Sequence, residues 1–368
     1  MAGAELEARV KEALRKQLLE RGAASAAAQA EVVLAVEPTI PEKEIEVVLK
    51  DNQVLFSKLT GTSKSVLKKR KLRDFAVTVL PEAAIPAQVK AFVPSKNPAY
   101  NIQVDEAHAM LFAWELNEKV LITGPTGSGK SSLVDYCGAL THRPVLRVNM
   151  TGDMESAVLF GQLVVENGGT VWKDGPATEA VRYGAVLLAD EWDVTPPEIL
   201  FGLQWLFEDK GKLFLKEMPG DSDSKFITPH ENFRMVCAGN TVGQGDDTGR
   251  YSGTNVQNNA TIDRFQTTIV LDYLDAEHET KIIEDNCKDL WPGFSAKMVS
   301  FANLVRSAAK QNNINLTMSP RTLINWGRKA VALQDTKRGL MLAFVNKLRD
   351  TDRKIVSEFY TKVFGGAL

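Results

Sequence analysis

An α/β fold is predicted for the middle of this 368-residue chain, a parallel sheet covered by helices on both faces, with helical regions before and after it. Three observations predict it. Short apolar runs alternate with helical patterns across residues 101–274, the pattern of a doubly covered parallel sheet. The first run, Lys119–Thr123, ends in the glycine-rich stretch GPTGSGKS, Gly124–Ser131, which opens directly into a helical pattern. From Asp275 onward no strand-like run remains.

Each element has its own signal. Residues 1–75 are expected to form a small helical domain. Leu6, Val10, Leu14 and Leu18 recur at four-residue spacing within Ala4–Glu20, a second helix is expected over Ser25–Val36, and Pro41 opens a third. A basic run follows, Lys58, Lys64, Lys68, Lys69, Arg70, Lys71 and Arg73, readable as a solvated helix face, a dock for an acidic partner or a nucleic-acid contact. Residues 76–100 contain Pro81, Pro86, Pro94 and Pro98 and are expected to be an extended linker. Within the core at 101–274, helices are expected over Val104–Leu116 and Lys130–Leu140. Strands are expected over Pro144–Asn149, Ala185–Asp190, Phe233–Ala238 and Thr267–Leu271. Two hairpin inserts are expected, Gly161–Lys173 around Asn167-Gly168-Gly169, and Lys212–Asn232. Thr195 is expected to cap a helix with Pro196 at its first position and Glu198 at its third. Residues 275–368 form the second helical domain, with helices over Ala276–Cys287, Ser295–Gln311, Pro320–Leu333 and two stretches within Thr336–Val363.

The chemistry is concentrated around Gly124–Ser131. The spacing G-x-x-x-x-G-K-S is that of a phosphate-binding loop: Gly124, Gly127 and Gly129 let backbone N–H groups turn inward, and Pro125, Thr126, Ser128 and Ser132 complete the cradle. The following helix adds its positive end, Lys130 reaches the β- and γ-phosphates, and the Ser131 hydroxyl suits Mg²⁺. The run Ala185–Asp190 continues into Glu191, which places two carboxylates at one strand end. Asp190 then acts through the metal and Glu191 polarises a water. Asn240, after FRMVCAG, either positions that water or caps a loop. Arg264 and Arg321 are each either a surface ion pair or a phosphate-facing cation, the first across a subunit interface and the second at the start of a lid helix.

Composition sets outer bounds. Hydrophobic content of 44% and charged content of 24% are ordinary for a globular chain, and a net charge of −2 gives no global pull toward nucleic acid or anionic membrane. Cys137, Cys237 and Cys287 are scattered without C-x-x-C spacing, as are His108, His142, His230 and His278, so neither a disulfide framework nor a zinc site is expected. Met1–Arg21 is charged throughout and Ala23–Val36 is too short to span a bilayer. A cytoplasmic protein without a membrane partner is the expectation.

GPTGSGKS, LLADEWD, CAGN, IDRF and SPRT, in this order, resemble an AAA+ ATPase of the MoxR branch. The stretches VLRVNM, Ala238–Leu274 and MSPRTLINW are similar to the CobS family, the AAA+ subunits of aerobic cobaltochelatase. The resemblance spans about residues 98–335. It implies a Walker A loop at Gly124–Ser131, a Walker B pair at Asp190 and Glu191, sensor 1 at Asn240, an arginine finger at Arg264 and sensor 2 at Arg321. It further implies ATP and Mg²⁺ as ligands, a homo-oligomeric, hexameric ring, and a protein partner with a von Willebrand A-type domain that the ring remodels. Residues 1–90, Trp192 within DEWD and Arg250 within TGRYSGTN depart from the CobS pattern. Two other functions stay open at this point: a nucleic-acid-stimulated motor that uses the basic run, and a nucleotide-regulated ring scaffold.

Overall fold

A computed structural model describes residues 47–98, 100–208, 210–245, 251 and 253–368. The helices expected over Ala4–Glu20 and Ser25–Val36, and the one opened by Pro41, lie outside the described residues up to residue 46.

Residues 53–90 depart from the sequence expectation. Strands β1 (Gln53–Leu55) and β2 (Ala76–Thr78) pair antiparallel around two short helices, α1 (Phe56–Thr60) and α2 (Lys64–Lys69). The stretch expected to be an extended linker holds β2, a 3₁₀ turn at Glu82–Ala84 and helix α3 (Ala87–Lys90). Pro81 and Pro86 stand immediately before these turns, where their fixed φ and missing N–H start a helix at no cost. Three-residue strands carry too few positions for a period of two to show.

The core follows the expected order. Helix α4 (Val104–Glu115) leads to β3 (Val120–Thr123), the glycine loop and α5 (Lys130–Thr141). Then come β4 (Val145–Asn149), α6 (Ser156–Phe160) and the first hairpin, β5 (Gly161–Glu166) with β6 (Gly169–Asp174). Asn167 and Gly168 both have positive φ, as a two-residue hairpin turn requires. Helix α7 (Pro176–Tyr183) and β7 (Val186–Asp190) follow, and then α8 (Pro197–Leu203). Helix α8 begins one residue later than expected. Pro196, not Thr195, is its N-cap, because a residue that precedes a proline is held extended. Thr195 is instead fully buried. The second hairpin is reduced to two residues per strand, β8 (Leu213–Phe214) with β9 (Phe226–Ile227). Strand β10 (Arg234–Gly239), helix α9 (Asn259–Ile262) and β11 (Thr267–Val270) complete the core.

Strands β3, β4, β7, β10 and β11 form one parallel sheet in the order β11-β3-β10-β7-β4. Their near-continuous apolar runs resolve into two faces by strict alternation. Val120, Ile122, Val186, Leu188, Val236 and Ala238 pack under α4 and α5, together with Phe56, Leu67 and Val77. Leu121, Leu187, Ala189, Met235 and Cys237 pack under α7 and α8, together with Leu80, Ile85 and Val89. Residues 53–90 thus supply side chains to both faces of the sheet.

The helical C-terminal region has its own core, centred on Met298, Phe301, Leu323 and Trp326. It consists of α10 (Ala276–Asn286), α11 (Phe294–Lys310), α12 (Pro320–Leu333), α13 (Thr336–Ala343) and α14 (Asp350–Phe364). No described helix is long and apolar enough to cross a membrane.

Candidate nucleotide site

The glycine loop leaves β3 and returns into α5 with positive φ at Gly124, Gly127 and Gly129. Two of these glycines are also forced by close approach. A Cβ on Gly124 would collide with the Leu271 carbonyl, and one on Gly127 would lie 2.5 Å from the Ser319 Cβ. The second contact seats the loop directly against the start of α12. There Ser319 caps the helix by accepting from the Thr322 N–H at 3.3 Å, and Pro320 occupies the first turn.

Lys130 is buried at the first position of α5. Its Nζ donates to the carbonyls of Gly124 at 2.8 Å and Pro125 at 3.2 Å, and to Asn240 Oδ1 at 3.0 Å. Burial pulls its pKa below 10.5, and the nearby carboxylates of Asp190, Asp193 and Glu191 oppose the fall. The Ser131 hydroxyl donates to Asp190 Oδ2 at 2.9 Å. A hydroxyl and a carboxylate side by side are the hard oxygen donors that suit Mg²⁺, which takes one or two carboxylates and completes its shell with water and phosphate. Glu191 is exposed at the rim in the left-handed region, φ 59°, a conformation that turns the chain sharply off the strand end.

Asn240 reaches the loop through Lys130 and through Thr126, whose hydroxyl donates to Oδ1 at 3.3 Å. It is held there by a residue that sequence reasoning quoted but left without a role. Asp193 is fully buried, and its Oδ2 accepts from the N–H groups of Asn240 at 3.0 Å and Thr241 at 2.8 Å and from the Thr241 hydroxyl at 2.9 Å.

Core and lid enclose a cleft of about 560 Å³ that contains the loop from Thr126 to Ser132, Asp190, Glu191 and Asn240 on one side and Arg321 on the other. Arg264 does not line it. That arginine donates through Nε to Glu208 Oε1 at 2.8 Å and through Nη1 to the Ala260 carbonyl at 2.6 Å. Among the cleft residues without a role assigned from sequence are Arg147 on β4, Asp135 on α5, and Tyr273 at the passage from sheet to lid. Of these three, only Arg147 carried a signal in sequence, a charge in the middle of the mostly apolar run Val145–Asn149.

A phosphate loop after β3 of a parallel sheet, acids at the end of β7 with β10 between the two strands, and a helical lid over the cleft define an AAA+ P-loop ATPase. Residues 119–265 match the AAA domain (dynein-related subfamily), and residues 279–358 match the CbbQ/NirQ/NorQ C-terminal family. The chain is 33% identical over 295 residues to the aerobic cobaltochelatase subunit CobS of a Sinorhizobium species, covering 76% of this chain and 86% of that protein. It is 28% identical over 219 residues to the gas vesicle ATPase GvpN of Haloferax mediterranei, covering 54% and 60% of the two chains. Identity to the protein NorQ of Paracoccus denitrificans is 33% over 143 residues, covering 39% and 51%. The chain belongs to the MoxR-like AAA+ family.

Proposed function

We propose that the chain hydrolyses ATP with Mg²⁺ in the cleft between sheet and lid, within a ring of identical subunits, and uses the cycle to remodel a protein partner. The observation that carries the reading is the convergence on one cleft of Lys130, the Ser131–Asp190 pair, Glu191, Asn240 and Arg321.

The loop N–H groups and Lys130 bind the phosphates, Lys130 exchanging its hold on the loop carbonyls for phosphate oxygens. Ser131 and Asp190 would hold Mg²⁺, which would neutralise phosphate charge when bound. Glu191, free of the sheet and at the rim, takes the proton of the attacking water, and Asn240 orients that water from a position set by Asp193. Arg321 joins the γ-phosphate from the lid. Arg264 points outside its own cleft and serves a neighbour's nucleotide, exchanging Glu208 for phosphate. The partner is a protein, and a von Willebrand A-type domain is its expected class. CobS, by its name a subunit of a larger enzyme, supports this. So do Leu163, Val165 and Val171, which the β5–β6 hairpin leaves exposed.

Glu191→Gln is expected to bind ATP and to lose about 10²–10⁴-fold in turnover. Arg264→Ala is expected to bind ATP and turn over poorly alone, and to regain turnover when mixed with Glu191→Gln subunits. Wild-type turnover in Glu191→Gln would remove the catalytic assignment. Mixtures no faster than their components would remove the shared site.

A further inference from the structure

Arg147 is a cation for which the ATPase reading above has no use, and it stands on the carboxylate that reading gives to the metal. It lies on β4, the edge strand of the sheet. Alternation places it on the same face as Val145, which packs under α5. That face looks toward the first turns of α5, from which Ser131 and Asp135 both reach the cleft. There its guanidinium forms an ion pair with Asp190 Oδ2, the oxygen that also accepts the Ser131 hydroxyl. Burial raises the pKa of Asp135, and the charge of Arg147 opposes the rise.

The two partners of this pair are unequally exposed. The Asp190 side chain is 7% accessible and that of Arg147 is 52% accessible. A carboxylate this buried is costly to leave without a counter-charge, whereas a half-exposed arginine returns to water cheaply.

We propose that Arg147 is a positioning residue, the counter-charge that holds Asp190 in the metal-free chain and gives way when Mg²⁺ enters with nucleotide. It thereby sets the Mg²⁺ requirement of the site. The inference rests on the assignment of Asp190 to the metal. Its consequence is a competition. Every Mg²⁺ ion that enters must displace a guanidinium from the oxygen it needs, so the wild-type site demands more Mg²⁺ than the donor set alone would. A lysine at this position preserves the competition, and an uncharged side chain abolishes it.

The test is a Mg²⁺ titration of fluorescent ATP-analogue binding in a Glu191→Gln background, which reads occupancy without turnover. Arg147→Met is expected to lower the half-saturating Mg²⁺ concentration about three- to tenfold, since a screened charge near a partly buried ligand is worth that much. Arg147→Lys is expected to stay within about twofold of the parent, and Asp190→Asn to raise the requirement about tenfold or more. Thermal melts of each variant establish that it is folded, and Arg147→Gln serves as a second neutral variant. An unchanged or raised Mg²⁺ requirement in both neutral variants, with Asp190→Asn impaired, overturns the role of Arg147 alone. An Asp190→Asn variant with the parental Mg²⁺ requirement overturns the metal assignment of Asp190 and this inference with it.

Discussion

Lys130 shows at the scale of one residue how the cleft stores charge before any phosphate arrives. Its ammonium is tied to two backbone carbonyls and an amide oxygen in a largely dry setting, and burial lowers its pKa. The unfolded chain therefore holds this proton more tightly than the folded one does. The penalty on folding is full at pH values below the lowered pKa and fades as pH rises from there to 10.5. Phosphate binding needs the charged form, so nucleotide affinity runs in the opposite direction. We expect ATP-analogue affinity to decline as pH rises through a value below 10.5, and the residual binding of Lys130→Arg to show no such decline, because a guanidinium stays charged in this range. Affinity that is flat up to pH 10.5 would show that burial leaves Lys130 unperturbed.

Asp193 does its work at the scale of elements. The turn at Trp192–Val194 follows β7, and the Asp193 carboxylate ties that turn to the end of β10 through three hydrogen bonds. The backbone beyond β10 is tied back to the same turn. Asn255 donates from its N–H to the Asp193 carbonyl at 2.7 Å, and Gln257 Nε2 donates to the Thr195 carbonyl at 2.9 Å. The two strand ends that carry Asp190 and Asn240 are thus joined by one buried side chain. Removing it leaves three partly buried donors without their acceptor. Asp193→Ala is expected to cost about 3 kcal/mol in a urea unfolding experiment. It should also slow ATP turnover more than it weakens ATP binding, because Asn240 loses its anchor. Full turnover in a variant that is destabilised would confine Asp193 to a structural role.

At the scale of the whole molecule, the path from phosphate loop to lid runs through Tyr273. Its hydroxyl donates to the Thr126 carbonyl at 3.1 Å, and the Arg306 guanidinium lies 4.0 Å from the centre of its ring. Arg306 is buried and is gripped by both oxygens of Glu279, at 2.7 and 2.9 Å, and by the Met318 carbonyl at 2.7 Å. It therefore connects α10, α11 and the residue that precedes the cap of α12, the helix that bears Arg321. Glu279→Ala leaves a buried cation without its partner. We expect a loss of about 3–5 kcal/mol, read as a lower melting temperature. The stabilisation gained on adding ATP should shrink as well, because the lid no longer holds Arg321 over the cleft. A melting temperature equal to that of the parent would mean that the pair contributes nothing net.

Features whose physics is local were readable in the chain before folding. Gly124–Ser131 needs only consecutive backbone conformations, and the strand that ends in Asp190 and Glu191 needs only a contiguous apolar run, so each survives as a string of letters. The helix Pro320–Leu333 carries its own cap and first-turn proline and was legible to the residue. The strand order β11-β3-β10-β7-β4 is another matter, as is the wrapping of residues 53–90 over both sheet faces. These depend on which apolar faces meet, and many sequences of the same pattern would satisfy the same periodicity. Arg147, Asp193 and Tyr273 belong with them. Each acts on a residue far away in the chain, and such a contact exists only once packing has closed the distance. The chain order of glycines, acids and caps therefore decided that this protein binds and splits a nucleotide. Only the folded sheet and lid decided which further charges stand around that site.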